Sequence, residues 1–131
     1  MKKIQVKSSR CNEMVDITEE IQKAISQEGI REGLCYLFVP HTTAGITINE
    51  GADPSVRQDI LNKLDQLIPR EDGYRHSEGN AAAHIKASLV GSSVAVFLQG
   101  GKLALGTWQS LYFCEFDGPR QREVWMMIAR P

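Results

Sequence analysis

The sequence has few of the residues that would cross-link a small fold. Its 131 residues include only three cysteines, Cys11, Cys35 and Cys114, and no two of them form a C-x-x-C pair. Their odd number and wide spacing argue against a disulfide scaffold and a zinc ribbon. We therefore expect three free thiols that behave as small buried apolar groups in a reducing compartment, which favours the cytoplasm.

Long apolar runs and an excess of one charge are also missing. No stretch approaches the roughly 20 apolar residues of a membrane span, and the N-terminal residues lack the apolar run of a secretion signal. Fifteen Lys and Arg residues against sixteen Asp and Glu residues give a net charge of −1. This balance provides no general attraction to nucleic acid or anionic lipid, so we expect neither as a partner.

The composition is that of one ordinary globular domain, with 42% hydrophobic and 24% charged residues and no repeat or linker. Hydrophobic periodicity and turn residues predict three helices: from a Thr18 cap to Gly29, from Asp53-Pro54 to Pro69, and from about Asn80 to Val90. Strands are predicted at Lys3–Ser8, Glu13–Ile17, Leu34–Val39, His41–Glu50, Ser93–Gln99, Lys102–Phe116 and Glu123–Ala129. We therefore predict a single α+β domain over residues 1–131.

Two of the predicted strands have faces that bear on function. Leu34–Val39 is apolar at every position, which predicts a strand covered on both faces. Within His41–Glu50, alternation puts His41, Thr43 and Asn49 on a polar face. In Lys102–Phe116 it puts Thr107 and Gln109 together, and Trp108 on the opposite face as a core residue.

The three histidines, His41, His76 and His84, fall in the polar strand, in the loop Arg70–Gly79 and in the third helix. Three imidazoles with an open position form a known catalytic metal site, yet the eight-residue spacing of His76 and His84 is not a helical ligand pair. The alternative is that each histidine hydrogen-bonds a carbonyl or a carboxylate, and the sequence leaves both open.

Two further features surround these histidines. On the third helix, Asn80, His84 and Ser88 form a polar stripe beside an apolar arc of Ala81, Ala82, Ile85 and Leu89. Arg75, beside His76 in the loop, is a candidate phosphate contact, whereas Arg120 and Arg122 flank the last turn and are interpreted as solvated charge.

Taken together, these segments resemble one family over essentially the whole chain. The resemblance is carried by His41-Thr42-Thr43-Ala44, Ile48-Asn49-Glu50, Asp53-Pro54, Gly73-Tyr74-Arg75-His76, Asn80-Ala81-Ala82-Ala83-His84, Lys86–Ser93, Gly106-Thr107-Trp108-Gln109 and Glu115–Arg120. The sequence is similar to the YjbQ-like family, whose members are often described as secondary thiamine-phosphate synthases. The resemblance implies a compact domain with a mostly antiparallel β-sandwich, a homotrimer, and a pocket around the matched histidines.

The resemblance also implies an activity, the joining of a pyrimidine pyrophosphate to a thiazole phosphate with release of pyrophosphate. On this hypothesis a divalent metal ion, zinc or magnesium, lies at His41, His76 and His84 and neutralises charge on the departing pyrophosphate. His41, His84, Glu50 and Asp53 are the candidate catalytic residues. The candidates for binding a small phosphorylated substrate are Thr43, Asn49, Arg75, Asn80, Thr107 and Gln109.

Two alternatives use the same residues. A metal-dependent hydrolase of a small phosphorylated or amide substrate would activate water at the histidines. A ligand-binding trimer would retain a small molecule without turnover.

Overall fold

The computed structural model describes residues 1–131, which form eight strands and three helices. In chain order they are β1 (Lys2–Lys7), β2 (Glu13–Asp16), α1 (Thr18–Glu28), β3 (Gly33–Phe38), β4 (Ala44–Glu50), α2 (Pro54–Leu67), α3 (Ala81–Val90), β5 (Ser93–Gln99), β6 (Lys102–Leu103), β7 (Gln109–Glu115) and β8 (Gln121–Ala129). None of the three helices has the length and apolar character needed to cross a bilayer.

The strands form two sheets in which every pairing is antiparallel. The larger sheet has the order β1-β8-β3-β5-β6, and the smaller one has the order β2-β7-β4. The main core lies between the two sheets and is closed along one side by α1, with Ile25, Leu37, Ile46, Phe113 and Val124 among its buried side chains. This arrangement confirms the predicted α+β fold with a β-sandwich.

A second, smaller core lies on the other face of the small sheet. There α2 and α3 cover Met14, Tyr112 and Cys114, and α3 contributes Ala83 and Ala87 to this core. β7 is therefore buried on both faces, because its alternate side chains enter different cores. The domain has three layers: the large sheet, the small sheet, and the pair α2 and α3.

Two helix ends follow the predicted local signals: the start of α2 and the end of α1. Asp53 caps α2 by accepting a hydrogen bond from the Ser55 amide at 2.9 Å, and Gly29 ends α1 with a left-handed φ of 69°. Thr18, predicted as the cap of α1, is instead its first helical residue. The Asp16 carboxylate accepts from the Thr18 amide, and the Thr18 hydroxyl accepts from the Leu111 amide. Thr18 thus ties the helix to β7.

The buried face of α3 agrees with the predicted one only in part, because Ala81 and Ala82 are buried as expected but the other two residues of the apolar arc are not. Ile85 and Leu89 are exposed, whereas the small side chains of Ala83 and Ala87 face the core. The reason is a close approach to β4: a Cβ placed on Gly45 would lie 2.6 Å from the Gly91 carbonyl oxygen. Small residues are found here because the short distance between α3 and β4 leaves no room for larger side chains.

The predicted strand Lys102–Phe116 is interrupted. β6 ends at Leu103 and β7 begins at Gln109. Between them, the Gln109 amide donates to the Gly106 carbonyl at 3.0 Å, and the Gly106 amide donates to Gln109 Oε1 at 2.8 Å. This turn overrides the expected alternation, so Trp108 is 64% exposed rather than part of the core.

The large sheet has one face that nothing in the chain covers. Cys35 and Leu37 of β3 are buried, but Tyr36, Phe38, Phe97 and Met127 on the opposite side are 43–70% exposed. We call these four residues the outer face. The prediction that β3 is covered on both faces is therefore wrong for a single chain.

Candidate functional site

A polar cleft lies where the segment before β4, the loop before α3 and the start of β8 meet. Its volume is about 480 Å³, and apart from Pro40 the residues that line it are polar or charged. The predicted site residues in its wall are His41, Thr43, His76, Asn80 and His84. The structure thus brings the three histidines to one cleft, although they come from three different segments.

His41 is fixed by the backbone of β8. Its Nε2 accepts a hydrogen bond from the Glu123 amide at 3.0 Å, so a neutral ring carries its proton on Nδ1. Burial and the nearby Arg122 guanidinium lower the pKa of His41 below its usual value of 6.5, which favours this neutral form. The ring also makes an edge contact with Phe113, with centroids 6.5 Å apart.

His76, in the loop before α3, pairs with His84 in the first half of that helix. Their rings meet edge to face with centroids 5.2 Å apart, and His76 Nε2 lies 4.0 Å from Glu78 Oε2. His84 is half-buried on the helix, and the loop residue His76 packs against its ring.

The three histidines do not fit a tri-histidine metal centre as they stand. A metal ligand must offer a free nitrogen lone pair. The Nε2 lone pair of His41 is already taken by the Glu123 amide, and ligation through Nδ1 would put a proton on Nε2 against that same amide. No group of three or more His, Cys, Asp or Glu side chains is close enough together to hold a metal ion. The zinc or magnesium ion stays a prediction.

A buried ion pair forms the floor of the cleft, contrary to the interpretation of Arg122 as solvated charge. Glu115 is fully buried and Arg122 is 5% exposed. Arg122 Nε and Nη2 donate to the two carboxylate oxygens of Glu115, and the Ser8 hydroxyl donates to Oε1 at 2.7 Å. Burial alone would raise the pKa of Glu115, but these hydrogen bonds and one from the Asp117 amide outweigh it and lower the pKa. Glu115 is therefore ionised at neutral pH.

Thr43 belongs to this same network. Its hydroxyl accepts a hydrogen bond from Arg122 Nη2 at 2.8 Å, and the residue is 5% exposed. Thr43, predicted to bind substrate, thus contacts the arginine directly.

A second network joins Asn80 to the end of β7. Asn80 Nδ2 and Arg120 Nη2 both donate to Asp117 Oδ2, at 2.9 and 3.0 Å. Asn80 Oδ1 is buried and has no hydrogen-bond partner. An unpaired buried acceptor of this kind costs roughly 1–3 kcal/mol, so the side chain is held in place at some expense in stability.

The remaining predicted residues lie elsewhere in the chain. The strand from Ala44 to Glu50 spans about 20 Å, and Ala44 pairs with Glu115 while Glu50 pairs with Gln109 at the opposite end. The residues at that far end are Asn49, Glu50, Asp53, Thr107 and Gln109. Within one chain they cannot act with the histidines.

Local contacts explain some of these residues. Asp53 is the cap of α2, and Gln109 closes the turn at Gly106. Glu50 Oε2 accepts from the Ala52 amide at 2.8 Å. Arg75 is exposed on its loop and does not line the cleft, although its neighbour His76 does.

The site residues that sequence reasoning missed are Asp117, Arg120, Arg122 and the buried Glu115. One signal was present: Arg120 and Arg122 are two residues apart just before the predicted strand Glu123–Ala129, and in an extended segment such side chains share a face. Glu115 ends the preceding strand, which is the position from which a carboxylate can meet them.

The cysteines do not contribute nucleophiles to the site. Burial raises the pKa of Cys35 to about 11 and that of Cys114 to about 12, so both stay protonated at neutral pH. Both are buried and all three thiols are free, as expected, with Cys11 only partly buried.

Comparison with known proteins identifies relatives over the full chain. The profile of a family described as "UPF0047 protein YjbQ-like" matches residues 2–130. A UPF0047 protein of Methanocaldococcus jannaschii is 53% identical over 126 residues, which cover 96% of this chain and 91% of that protein. The UPF0047 protein YugU of Bacillus subtilis is 50% identical over 129 residues, or 98% of each chain.

Solved structures show the same fold. A crystal structure of an uncharacterised conserved YjbQ/UPF0047 protein from Clostridium acetobutylicum superposes with a TM-score of 0.95 at 50% identity, covering 98% of this chain and 100% of that one. A YbjQ-like protein of unknown function from Sulfolobus solfataricus gives 0.93 at 34% identity, covering 99% and 96%. The descriptions of these proteins assign no activity.

Proposed function

The chain belongs to the YjbQ-like UPF0047 family, and we propose that it is an enzyme that acts on small phosphorylated or pyrophosphorylated molecules in the polar cleft. The proposed reaction is thiamine-phosphate synthase-like: a pyrimidine pyrophosphate is joined to a thiazole phosphate, and pyrophosphate leaves. The observation that carries the proposal is the convergence of three histidines and two arginines on one mainly polar cleft.

This reaction needs charge stabilisation more than a nucleophile, because the electron pair of the breaking bond leaves with pyrophosphate. Arg120 and Arg122 would offset that charge, since their side chains line the cleft. His84 and His76, which face each other, are placed to donate a proton or a hydrogen bond to a leaving or bridging oxygen. These roles fall entirely on the chain's own side chains.

We propose further that three copies assemble through the outer face. An exposed cluster of large apolar side chains on a sheet commonly marks an interaction surface. The cluster includes Tyr36, Phe38 and Phe97. Phe38 also packs against Trp125 of the neighbouring strand, with ring centroids 5.8 Å apart. The homotrimer implied by the family resemblance would cover these side chains.

The test is a product assay with purified, untagged protein, a pyrimidine pyrophosphate and a thiazole phosphate. Pyrophosphate release that requires both substrates is expected. Release from one substrate and water would replace transfer with hydrolysis, and tight retention without turnover would replace it with ligand binding. We expect His84→Gln to reduce turnover by about 10²-fold or more, because a positioned proton donor is lost.

Ile85→Ala is the matched control, since Ile85 follows His84 on the same helix and is exposed. Equal rates for His84→Gln and the control would contradict the role of His84. The metal content of wild-type and His84→Gln proteins, measured on the same preparations, tests the predicted metal independently of turnover.

A further inference from the structure

The buried arginine in the cleft has hydrogen-bonding capacity that the chain does not use. Of the three guanidinium nitrogens of Arg122, Nε and Nη2 donate to Glu115 and Thr43. Nη1 makes no hydrogen bond within the chain, yet it is not sealed from the cleft, since the only sealed and unpaired side-chain atom is Asn80 Oδ1. Arg122 is 5% exposed and lines the cleft, so its two unpaired Nη1–H groups are available to a molecule bound there.

The guanidinium is also held rigidly. Glu115 accepts from both Nε and Nη2, and it is itself fixed by Ser8 and by the Asp117 amide. Thr43 holds the opposite side of Nη2. A planar fork with its orientation fixed in advance loses little freedom when it binds a phosphate group, and this is how arginine differs from lysine.

Neighbouring groups have the same donor character. Arg120 lies two residues before Arg122 and lines the same cleft, with its Nη1 also free of protein partners. His41 presents Nδ1–H in its neutral form, because its Nε2 is an acceptor. Two carboxylates also line the cleft, but Asp117 accepts from Asn80 and Arg120, and Glu78 Oε2 lies 4.0 Å from His76 Nε2. The unpaired N–H donors therefore favour an oxyanion over a cation.

We infer that Arg122 is the residue that recognises the phosphoryl or pyrophosphoryl group, and that Glu115 is its positioning residue. The inference rests on the proposed function and names the recognition element that the sequence had assigned to Arg75. Arg75 is exposed and lies outside the cleft wall. A flexible, solvated arginine provides weaker and less specific recognition than a fixed one.

The experiment is isothermal titration calorimetry of inorganic pyrophosphate into untagged wild-type protein and four variants. Arg122→Lys should weaken binding at least tenfold, because an ammonium group keeps the charge but cannot reproduce the fork. Glu115→Gln should also weaken binding, by about threefold or more. Arg75→Lys and Arg130→Lys, which alter exposed arginines, should bind as wild type does.

Glu115→Gln separates positioning from simple electrostatics. Removing a negative charge next to the site would strengthen anion binding if charge alone mattered. Weaker binding therefore supports positioning, and stronger binding overturns it. Circular dichroism and thermal unfolding establish that each variant is folded.

The outcomes separate a failure of the proposed function from a failure of the Arg122 assignment. Failure of wild-type protein to bind millimolar pyrophosphate would overturn the proposed function and this inference together. Wild-type binding that Arg122→Lys leaves unchanged would overturn this inference alone.

If Arg122→Lys does not fold, wild-type crystals soaked in pyrophosphate give the answer. An anion oxygen within about 3.2 Å of Arg122 Nη1 is expected. An anion bound at Arg75, or elsewhere without Arg122, would overturn the assignment.

Discussion

At the scale of single residues, the buried ion pair between Glu115 and Arg122 is the least expected feature of the molecule. Removing two charges from water costs several kcal/mol per ion, which their attraction recovers only with good geometry and additional hydrogen bonds. Ser8, Thr43 and the Asp117 amide supply those bonds. A pair of apolar residues would hold the same space at lower cost, so a role beyond packing accounts better for this arrangement.

His41 predicts how stability depends on pH. Burial, assisted by Arg122, lowers its pKa in the folded state below the usual 6.5, so the unfolded chain takes up a proton first as the pH falls. Stability is therefore fully present above about pH 6.5 and decreases below it. Urea denaturation at pH 7.5, 6.5 and 5.5 should show this decrease in the free energy of unfolding.

The His41→Gln variant is the control for this dependence. Its amide oxygen can still accept from the Glu123 amide, but the side chain does not titrate. The variant should show a flatter profile between pH 7.5 and 5.5. Glu115 does not confuse the comparison, because its pKa lies below the usual 4.5 and affects stability only at lower pH. An unchanged slope in His41→Gln would contradict the assignment.

At the scale of elements, α2 shows that a candidate catalytic residue can be explained by local structure. Asp53 accepts from both the amide and the hydroxyl of Ser55, and these bonds lower its pKa. Asp53→Ala should reduce the free energy of unfolding, because the Ser55 amide at the start of α2 loses its capping acceptor. Turnover should not change, because the cleft lies at the other end of β4.

Asp53→Ser keeps a capping oxygen and should lose much less stability. Denaturant melts and turnover measured on the two variants decide the question. A large loss of turnover in both, with stability intact, would place Asp53 in the chemistry.

The elements that sequence patterns predicted well are those determined by neighbouring residues. Gly29 and Asp53-Pro54 mark helix ends through backbone conformation and capping, both of which act within a few positions. The exposed Ile85 and the turn at Gly106 were mispredicted for a different reason. Their environments depend on how closely α3 approaches β4 and on one side-chain hydrogen bond, which periodicity does not describe.

The site divides in the same way. Histidine is rare and chemically distinctive, so three histidines in polar segments were recognisable before their convergence was known. Arg122 was not, since an arginine beside a turn is usually solvated. Its burial follows from the hydrogen bonds between Glu115 at the end of β7 and Arg122 in β8. Amino-acid composition cannot predict such a contact between two strands.

At the scale of the whole molecule, the homotrimer that the family resemblance implies can be tested through the outer face. Light scattering should give wild-type protein a mass of about three times the 14.6 kDa chain. A variant with both Tyr36→Glu and Phe97→Glu should shift toward the monomer, because charges on the covered face would be desolvated without partners. Far-UV circular dichroism should stay unchanged, since both side chains are on the solvent side of the sheet.

Trp108→Glu is the matched control for this experiment. Trp108 is as exposed as the residues of the outer face but belongs to the turn before β7. It should leave the trimer intact. Dissociation by Trp108→Glu, or a wild-type monomer, would move the interface or remove it.

The position of β8 in the large sheet determines when a newly made chain can complete the cleft. β8 separates β1 from β3, so both of those strands keep an open edge until β8 is synthesised. Arg122, and the Glu123 amide that fixes His41, arrive with it. A growing chain therefore cannot complete the wall of the cleft until β8 has been made. Chains interrupted before β8 would lack the proposed anion site and would leave the edges of β1 and β3 open to pairing with one another.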